Sequence, residues 1–532
     1  MGEHMELQIK IQDAIKKIDC NEKETILQIL QQNKIYLSAI CAGKGTCGKC
    51  KIKVVKGNLP ITKADREKLT EKELKDGIRL ACKCYVKEPL VIELCTINEE
   101  QMFIQGVQVE GQQRSRIHKL EDRSFLAIDI GTTTIAMALV DLENGNILDT
   151  YTTLNRQQVY GADVISRISA ANEGKLMELK KLVEEDVWKG ILKLTEKYQL
   201  DNIEEQDLQG VFKKIVIVGN TTMIHLLMGY SCESLGKYPF RSEHLEKQQR
   251  QLEEVISNSK GTKLAKIPIT ILPGISAFVG SDISSGLLVC PNFKTDKLSL
   301  LLDLGTNGEM VLGNRRRRIS ASSAAGPAFE GGNMLCGTGS VSGAISQVKI
   351  QNRRAVIRTI GGIYPPVGIC GTGIISAMAE LKRNKIIDEY GKLQTLFEKT
   401  GFPLWIGPKG ERISVYQQDI RQFQLAKAAI RTALEQLMNT FGCQPKEIDT
   451  VYLAGGFGTQ LSVKDAVETG IIPLNFEEKV KNIGNGALQG AIYYGLIEHK
   501  EEIIIWENIE GVILAEAENF QENYLNYLNF SL

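Results

Sequence analysis

The hydrophobic pattern changes once along the chain, near residue 123. Residues 7–97 contain short runs of alternating polar and apolar positions, as in Lys51–Val55, which ends at the turn signal Gly57-Asn58. From Arg123 onward, apolar strand-like runs alternate with long helical patterns. The pattern predicts an α+β domain of small strands, followed by a larger α/β region.

The α/β region also contains a coarse internal duplication. A strand that ends in Asp-hydrophobic-Gly-Thr occurs at Asp129–Thr132 and again at Asp303–Thr306. A polar stretch, Asn98–Asp122, precedes this region and has the composition of a linker. We therefore expect four segments: a first domain at 1–97, a linker at 98–122, a first lobe at 123–295, and a second lobe with a C-terminal tail at 296–532.

Composition narrows the possible functions. The 532 residues carry 64 basic and 64 acidic side chains, which argues against a polybasic nucleic-acid or membrane-surface binder. No run approaches the roughly 20 apolar residues of a membrane span, and the N-terminus lacks the regions of a signal peptide. We expect a cytoplasmic protein with no nucleic-acid or membrane partner.

Half of the 12 cysteines lie between Cys41 and Cys95, whereas the five histidines form no cluster. Three of these cysteines share one glycine-rich loop, CAGKGTCGKC, in which the glycines let the backbone turn around a metal cluster. The spacing resembles that of plant-type ferredoxins, and the context Arg79-Leu-Ala-Cys82 resembles their fourth-ligand segment. The predicted [2Fe–2S] ligands are Cys41, Cys47, Cys50 and Cys82. Cys84 remains an alternative to Cys82 as the fourth ligand. A structural zinc site, or a set of buried thiols, remains an alternative to the cluster itself.

The two Asp-Gly-Thr segments have the features of phosphate-binding loops. Glycine allows the backbone to approach a polyphosphate closely, threonine hydroxyls can donate to it, and Asp129 would hold Mg²⁺ through water. In the second segment Asn307-Gly308 is a strong hairpin-turn signal. Each segment alone is also compatible with an ordinary strand–turn–strand. The predicted catalytic residues are Asp129, Asp303 and Glu309, and the predicted phosphate contacts are Gly131, Thr132, Thr133, Gly305, Thr306 and Asn307.

A third glycine loop follows the strand Thr450–Leu453, and we predict that Gly455, Gly456 and Gly458 contact the nucleoside. Lys427, on the preceding helix, is a further candidate contact to the nucleotide, and a solvated helical lysine is the alternative. The order of the three loops resembles the actin, sugar-kinase and heat-shock ATPase superfamily. That resemblance implies two ribonuclease H-like lobes with ATP between them.

The combination of a ferredoxin domain with this ATPase resembles the RACo-like reductive activators of corrinoid proteins. Shared segments extend along most of the chain, among them AIDIGTTTIAMALVDL, GNTTMIHLLMG, LLDLGTNGEM, AAGPAFEGG, QLAKAAI and IGNGALQGA. The resemblance implies a β-grasp ferredoxin domain, a homodimer, and ATP-dependent return of one electron to the oxidised cobalt of a corrinoid protein in a methyltransferase system. An upstream electron donor is then also required. Longer family members carry an additional domain where this chain has about 25 residues.

Three other functions remain open from the sequence. A small-molecule kinase would use Asp303 as catalytic base, but no acceptor-binding signature is visible and a kinase has no need of a cluster. An ATP-gated chaperone or scaffold for a metalloprotein is the second alternative. Activation of a radical dehydratase is the third, although that chemistry uses a cluster held between two subunits.

Overall fold

The computed structural model describes most of the chain. The described residues are 5–11, 14–20, 23–33, 35, 37, 43, 45, 48, 50–94, 123–196, 212–362, 364–408, 410–455, 461–497, 504–514 and 519–530. The predicted linker, 98–122, lies outside them. So do Cys41, Cys47, Gly456 and Gly458 among the predicted site residues.

The chain forms two compact units. The first comprises residues 1–100 and 155–183, and the second comprises residues 101–154 and 184–532. Residues 155–183, which the sequence-based boundaries assign to the first lobe, therefore belong to the first unit. No helix in the described part of the chain has the length and apolar character required to cross a membrane.

The first unit contains a five-stranded mixed sheet with the strand order β2-β1-β5-β3-β4. Its strands β1 and β5 are parallel, and the remaining neighbours are antiparallel. Leu7, Ile9, Ile52 and Ile92 are fully buried in its core. This is the predicted β-grasp arrangement, with elements β1 Met5–Ile11, β2 Ala14–Cys20, α1 Ile26–Gln32, β3 Lys51–Lys56, α2 Lys63–Lys68, α3 Glu71–Lys75, β4 Ile78–Leu80 and β5 Leu90–Leu94.

The first lobe is built on a six-stranded sheet in the order β10-β11-β9-β6-β7-β8. Three antiparallel strands, β6 to β8, continue into the parallel strands β9 and β11. Helix α4 Val164–Ala170 and the first residues of α5 Leu176–Glu196 lie in the first unit. The elements of the lobe are β6 Ser124–Ile130, β7 Thr134–Asp141, β8 Ile147–Leu154, the part of α5 from residue 184 onward, β9 Ile215–Gly219, α6 Thr221–Met228, α7 Glu233–Gly236, β10 Gln248–Gln251, α8 Leu252–Val255, β11 Pro268–Ile271 and α9 Ser281–Leu288.

The second lobe repeats this topology in a sheet ordered β21-β20-β12-β13-β14-β22. In both sheets, three antiparallel strands are followed by two parallel ones, which confirms the predicted pair of ribonuclease H-like lobes. The elements are β12 Ser299–Leu304, β13 Gly308–Gly313, β14 Arg318–Ser323, β15 Ala344–Gln351, β16 Arg354–Thr359, β17 Gly368–Ile369, α10 Gly371–Arg383, β18 Phe402–Ile406, β19 Arg412–Val415, α11 Gln417–Phe441, β20 Thr450–Ala454, α12 Val463–Glu468, β21 Val480–Gly484, α13 Gly486–Leu496, β22 Ile509–Gly511 and α14 Phe520–Tyr527.

Helices α9 and α13 cross in direct backbone contact. A Cβ atom at Gly490 would lie 2.0 Å from the carbonyl oxygen of Ser285, so only glycine fits at this point. The Ser285 hydroxyl donates to the carbonyl of Ala487 at 2.8 Å and fixes the crossing. Because both helices begin beside the Asp-Gly-Thr loops, this crossing sets the positions of the residues at their N-termini.

Candidate functional site

The first Asp-Gly-Thr segment forms the tight connection between β6 and β7. The Gly131 amide donates to the carbonyl of Thr134 at 3.0 Å, and a Cβ at Gly131 would lie only 2.6 Å from that oxygen. Glycine is therefore required by the turn itself. Asp129, at the end of β6, accepts a hydrogen bond from Asn485 Nδ2 at 2.9 Å. Asn485 is also the N-cap of α13, since its Oδ1 accepts from the Leu488 amide.

The second segment has the same construction between β12 and β13. The Gly305 amide donates to the carbonyl of Asn307 at 2.9 Å, and the strand register places Asp303 directly opposite Glu309. Asn307 Nδ2 donates to Glu309 Oε1 at 3.1 Å, and Asn220 Nδ2 approaches the same oxygen at 3.4 Å. Glu309 is thus held by one amide from each lobe.

Four carboxyl groups with raised pKa values come together at the two Asp-Gly-Thr loops, and the fourth, Asp282 in the first turn of α9, was not among the predicted site residues. Burial and the nearby carboxylates Asp282 and Asp129 raise the pKa of Asp303 to about 8. Burial likewise raises the pKa of Asp129 to about 7 and that of Asp282 to about 6. The pKa of Glu309 is raised well above its usual range, by burial and then by Asp282 and Asp303.

This excess of negative charge fits a site for a cation. An opposite charge close to such carboxyls favours their ionised form, so a bound divalent ion would lower these pKa values. Among the described residues, no three His, Cys, Asp or Glu side chains are arranged to bind a metal directly.

Glu330 is a second residue that the sequence analysis missed, and it connects the two loops. The Thr133 hydroxyl of the first loop donates to Glu330 Oε2 and lies 3.5 Å from the Thr306 hydroxyl of the second. A Cβ at Gly305 would lie 3.2 Å from Glu330 Oε1. The carboxylate thus lies between two threonines predicted to contact phosphate, and its charge contributes to the raised pKa of Asp303.

The third glycine loop begins beside the second Asp-Gly-Thr loop. Gly455 has a φ of 122°, and a Cβ there would lie 2.4 Å from the Leu304 carbonyl and 3.0 Å from Asp303 Oδ1. The absence of a side chain lets β20 end against the predicted phosphate site. The start of the third glycine loop therefore lies next to the second Asp-Gly-Thr loop.

Lys427 lies in a different environment. Its Nζ donates to the Asn529 carbonyl and lies 4.9 Å from the centroid of the Phe530 ring, both in the C-terminal segment. Burial, and then the cations Arg431 and Lys382, lower the pKa of Lys427 to about 7. Among the residues that the structure describes, no contact joins Lys427 to either Asp-Gly-Thr loop. The alternative of a solvated lysine is wrong, because only 2% of this side chain is exposed.

In the first unit, the structure brings Cys50 and Cys82 to one edge of the sheet. The Ala81 amide donates to the Cys50 carbonyl at 2.9 Å, and both cysteines are buried. Gly43, within the cysteine loop, has a φ of 81°, and a Cβ there would lie 4.0 Å from Cys82 Cβ. The rival Cys84 is also buried, and its carbonyl accepts from the Ile26 amide of α1.

The chain matches three family models in sequence. Residues 9–87 match the 2Fe-2S iron-sulfur cluster binding domain, residues 125–293 match the RACo middle region, and residues 297–531 match the C-terminal domain of RACo, the ASKHA domain. The two RACo models together extend over more than half of the chain.

Relatives match over most of their length. The corrinoid activation enzyme RamQ of Eubacterium limosum is 28% identical, over 96% of this chain and 97% of the relative. The [Co(II) methylated amine-specific corrinoid protein] reductase of Methanosarcina barkeri is 25% identical over 76% of each chain. A solved structure, the reductive activator for corrinoid,iron-sulfur protein, has a TM-score of 0.70 at 26% identity and covers 99% of this chain and 98% of its own. The chain belongs to the RACo family.

Proposed function

We propose that this protein reductively activates a corrinoid protein of a methyltransferase system, by returning one electron to oxidised cobalt in an ATP-dependent reaction. One observation carries the proposal: a single chain holds a buried cysteine edge beside a glycine loop, and also a carboxylate-lined cleft between two ribonuclease H-like lobes. The relatives named for corrinoid activation and corrinoid-protein reduction support the same activity.

The first unit would hold a [2Fe–2S] cluster, which stores and releases one electron when bound. The adjacent, buried Cys50 and Cys82 fit this group, because a cluster needs thiolates that converge in a water-poor site. The loop glycines 43, 45 and 48, all with positive φ, allow the backbone to turn its amides inward. The ligand set is Cys41, Cys47, Cys50 and Cys82.

The second unit would bind ATP with Mg²⁺. The two Asp-Gly-Thr loops offer backbone amides and hydroxyls to the phosphates, Asp129 and Asp303 hold the hydrated cation, and Glu309 orients water. Asn485 keeps the Asp129 carboxylate in place, and the loop from Gly455 to Gly458 takes the nucleoside. These residues bind and orient the nucleotide, while the lobes exclude bulk water. Lys427 would act on the nucleotide only indirectly, through the C-terminal segment that its ammonium binds.

Coupling to ATP would drive an electron transfer from the cluster to an acceptor of lower reduction potential. Plant-type clusters have potentials near roughly −400 mV. An acceptor couple about 200 mV lower would make the transfer of one electron unfavourable by about 5 kcal/mol. Nucleotide binding can offset this only if the protein binds the corrinoid protein more tightly in one nucleotide state, by a factor of roughly 3 × 10³.

The test is reduction of a corrinoid protein by the cluster-loaded protein, followed by cobalt absorbance with and without MgATP. We expect complete reduction with ATP and little without it, together with ATP hydrolysis that rises when the corrinoid protein is added. Equal reduction without nucleotide would overturn the ATP dependence. Phosphate transfer to a small molecule would instead support a kinase.

A further inference from the structure

Positive charge is concentrated around the cysteine loop of the first unit. Between Cys41 and Ala64 the sequence has six lysines and no aspartate or glutamate, although the whole chain has equal numbers of basic and acidic residues. A balanced total charge therefore conceals a local excess at the predicted cluster site.

The structure places two lysines directly against this loop. A Cβ at Gly45 would lie 2.6 Å from Lys83 Cε, so the lysine stem lies across the loop at that glycine. Helix α2 also packs against the loop. The same Cβ at Gly45 would lie 3.5 Å from Ala64 Cβ, and a Cβ at Gly48 would lie 3.2 Å from Lys68 Cβ.

The basic side chains beside this loop lack carboxylate partners in the described part of the unit. Lys68 and Lys83 are partly exposed, Arg66 of α2 is exposed, and none of the three forms an ion pair among the described residues. By contrast, Lys51 pairs with Glu73 at 2.6 Å, and Lys63 pairs weakly with Glu67 at 3.8 Å. We name the surface formed by Arg66, Lys68 and Lys83 the basic loop surface.

We propose that the basic loop surface docks the upstream electron donor, and that this donor is a small, acidic electron-carrier protein with carboxylates around its redox group. The inference rests on the proposed function, because it requires a cluster at this loop. In the transfer the donor loses one electron and the oxidised cluster gains it, without bond formation or proton movement.

The charge arrangement fits a donor better than the corrinoid acceptor. Donor encounters must be fast and transient, and electrostatic steering between opposite charges raises association rates by roughly 10- to 10³-fold. Weak electron-transfer encounters also bury small surfaces. The acceptor, by contrast, must be recognised differently in the two nucleotide states, which requires contacts that respond to the nucleotide-binding lobes.

The experiment uses the full-length, cluster-loaded protein without nucleotide or corrinoid protein. Stopped-flow absorbance follows cluster reduction by a fully reduced acidic flavodoxin, in wild type and in Lys68→Glu/Lys83→Glu. We expect the second-order rate constant of the variant to fall about tenfold or more at low salt. The difference should nearly vanish at about 0.5 M salt, where charges are screened within a few ångströms. Lys68→Gln/Lys83→Gln should give an intermediate decrease.

Two controls make the proposal refutable. Lys10→Glu/Lys16→Glu changes the net charge equally at exposed positions of β1 and β2, and its rate should stay within about twofold of wild type. Reduced methyl viologen, a radical monocation, should reduce wild type and variants at rates that do not fall. Equal slowing in the control variant, or no slowing in the Lys68/Lys83 variants, would overturn the proposal.

A normal flavodoxin rate combined with slower transfer to a corrinoid protein would assign the surface to the acceptor, and would also overturn it. Because this assay contains no ATP and no cobalt, its failure leaves the proposed activation reaction standing. Failure of the activation assay alone would in turn leave donor docking measurable.

Discussion

The two predicted ligand sites of this protein are built with opposite charge. At the cysteine edge of the first unit, Lys68 and Lys83 lie beside a glycine loop and form no ion pair with any residue that the structure describes. Between the lobes of the second unit, burial raises the pKa values of Asp129, Asp282, Asp303 and Glu309, and neighbouring carboxylates add to this for all but Asp282. Each site is therefore electrostatically incomplete by itself. The first suits a group whose thiolate ligands carry negative charge, and the second suits a cation, so charge imbalance identifies the class of ligand.

The largest expected effect concerns the cysteine edge. Cys82→Ala should abolish the absorption of a [2Fe–2S] cluster, because one of four thiolates is lost, whereas Cys84→Ala should retain it. Both cysteines are buried, so the pair is matched for core disruption. Reconstitution followed by visible absorption and iron analysis provides the measurement. A retained cluster in the Cys82 variant would identify Cys84 as the better ligand.

The second prediction concerns the carboxylate cleft. Asp303→Asn should lower ATP hydrolysis by roughly 10²-fold, because it removes charge that faces the cation and the phosphates. Without nucleotide the same variant should melt at a higher temperature, since one repelling carboxyl is gone. Asp141→Asn, at the opposite end of β7, is the control and should hydrolyse ATP normally. A lower melting temperature for the Asp303 variant would contradict the interpretation of repulsion.

The third prediction concerns Glu330. Glu330→Gln preserves the shape of the acceptor for Thr133 but removes a negative charge from between the two phosphate loops. Affinity for ADP without Mg²⁺ should therefore rise about tenfold. Isothermal titration calorimetry measures this change. Unchanged affinity would mean that the phosphates bind away from Glu330.

The smallest expected effect concerns Lys427. It tests whether a cluster of like charges always marks a ligand site. Lys427 is also crowded by like charges, but a backbone carbonyl and the Phe530 ring contact its ammonium. With a folded pKa of about 7 and an unfolded value near 10.4, the unfolded chain binds more protons between these pH values, so stability should rise with pH in that window.

Lys427→Met should remove this pH dependence, which contributes at most about 4 kcal/mol to the free energy of unfolding. Melting temperatures of wild type and variant at pH 7 and pH 9.5 provide the measurement. The wild type should gain a few degrees more than the variant on going to the higher pH. Parallel pH profiles would show that Lys427 remains charged in the folded protein.

Local patterns in the sequence were sufficient for much of this architecture. The repeated Asp-Gly-Thr segments predict two hairpins of equal construction, because strand ends and glycine turns depend on neighbouring residues. Asp282 and Glu330 lack such a local signal. Asp282 enters the site through the position of α9, and Glu330 does so through a loop after β14, so both depend on tertiary packing. The sequence signals that could have indicated them are the glycine-rich segments around each acid, GSDISSGLL for Asp282 and AAGPAFEGG for Glu330.

The contact between α9 and α13 has a mechanical consequence. The helices touch where Gly490 presents bare backbone to Ser285, and their N-terminal ends carry Asp282 and the cap Asn485 that holds Asp129. Because the two backbones touch here, the crossing angle of α9 and α13 sets the distance between Asp282 and the cap of Asp129. A methyl group added at Gly490 would force the helices apart and so move both acids at once.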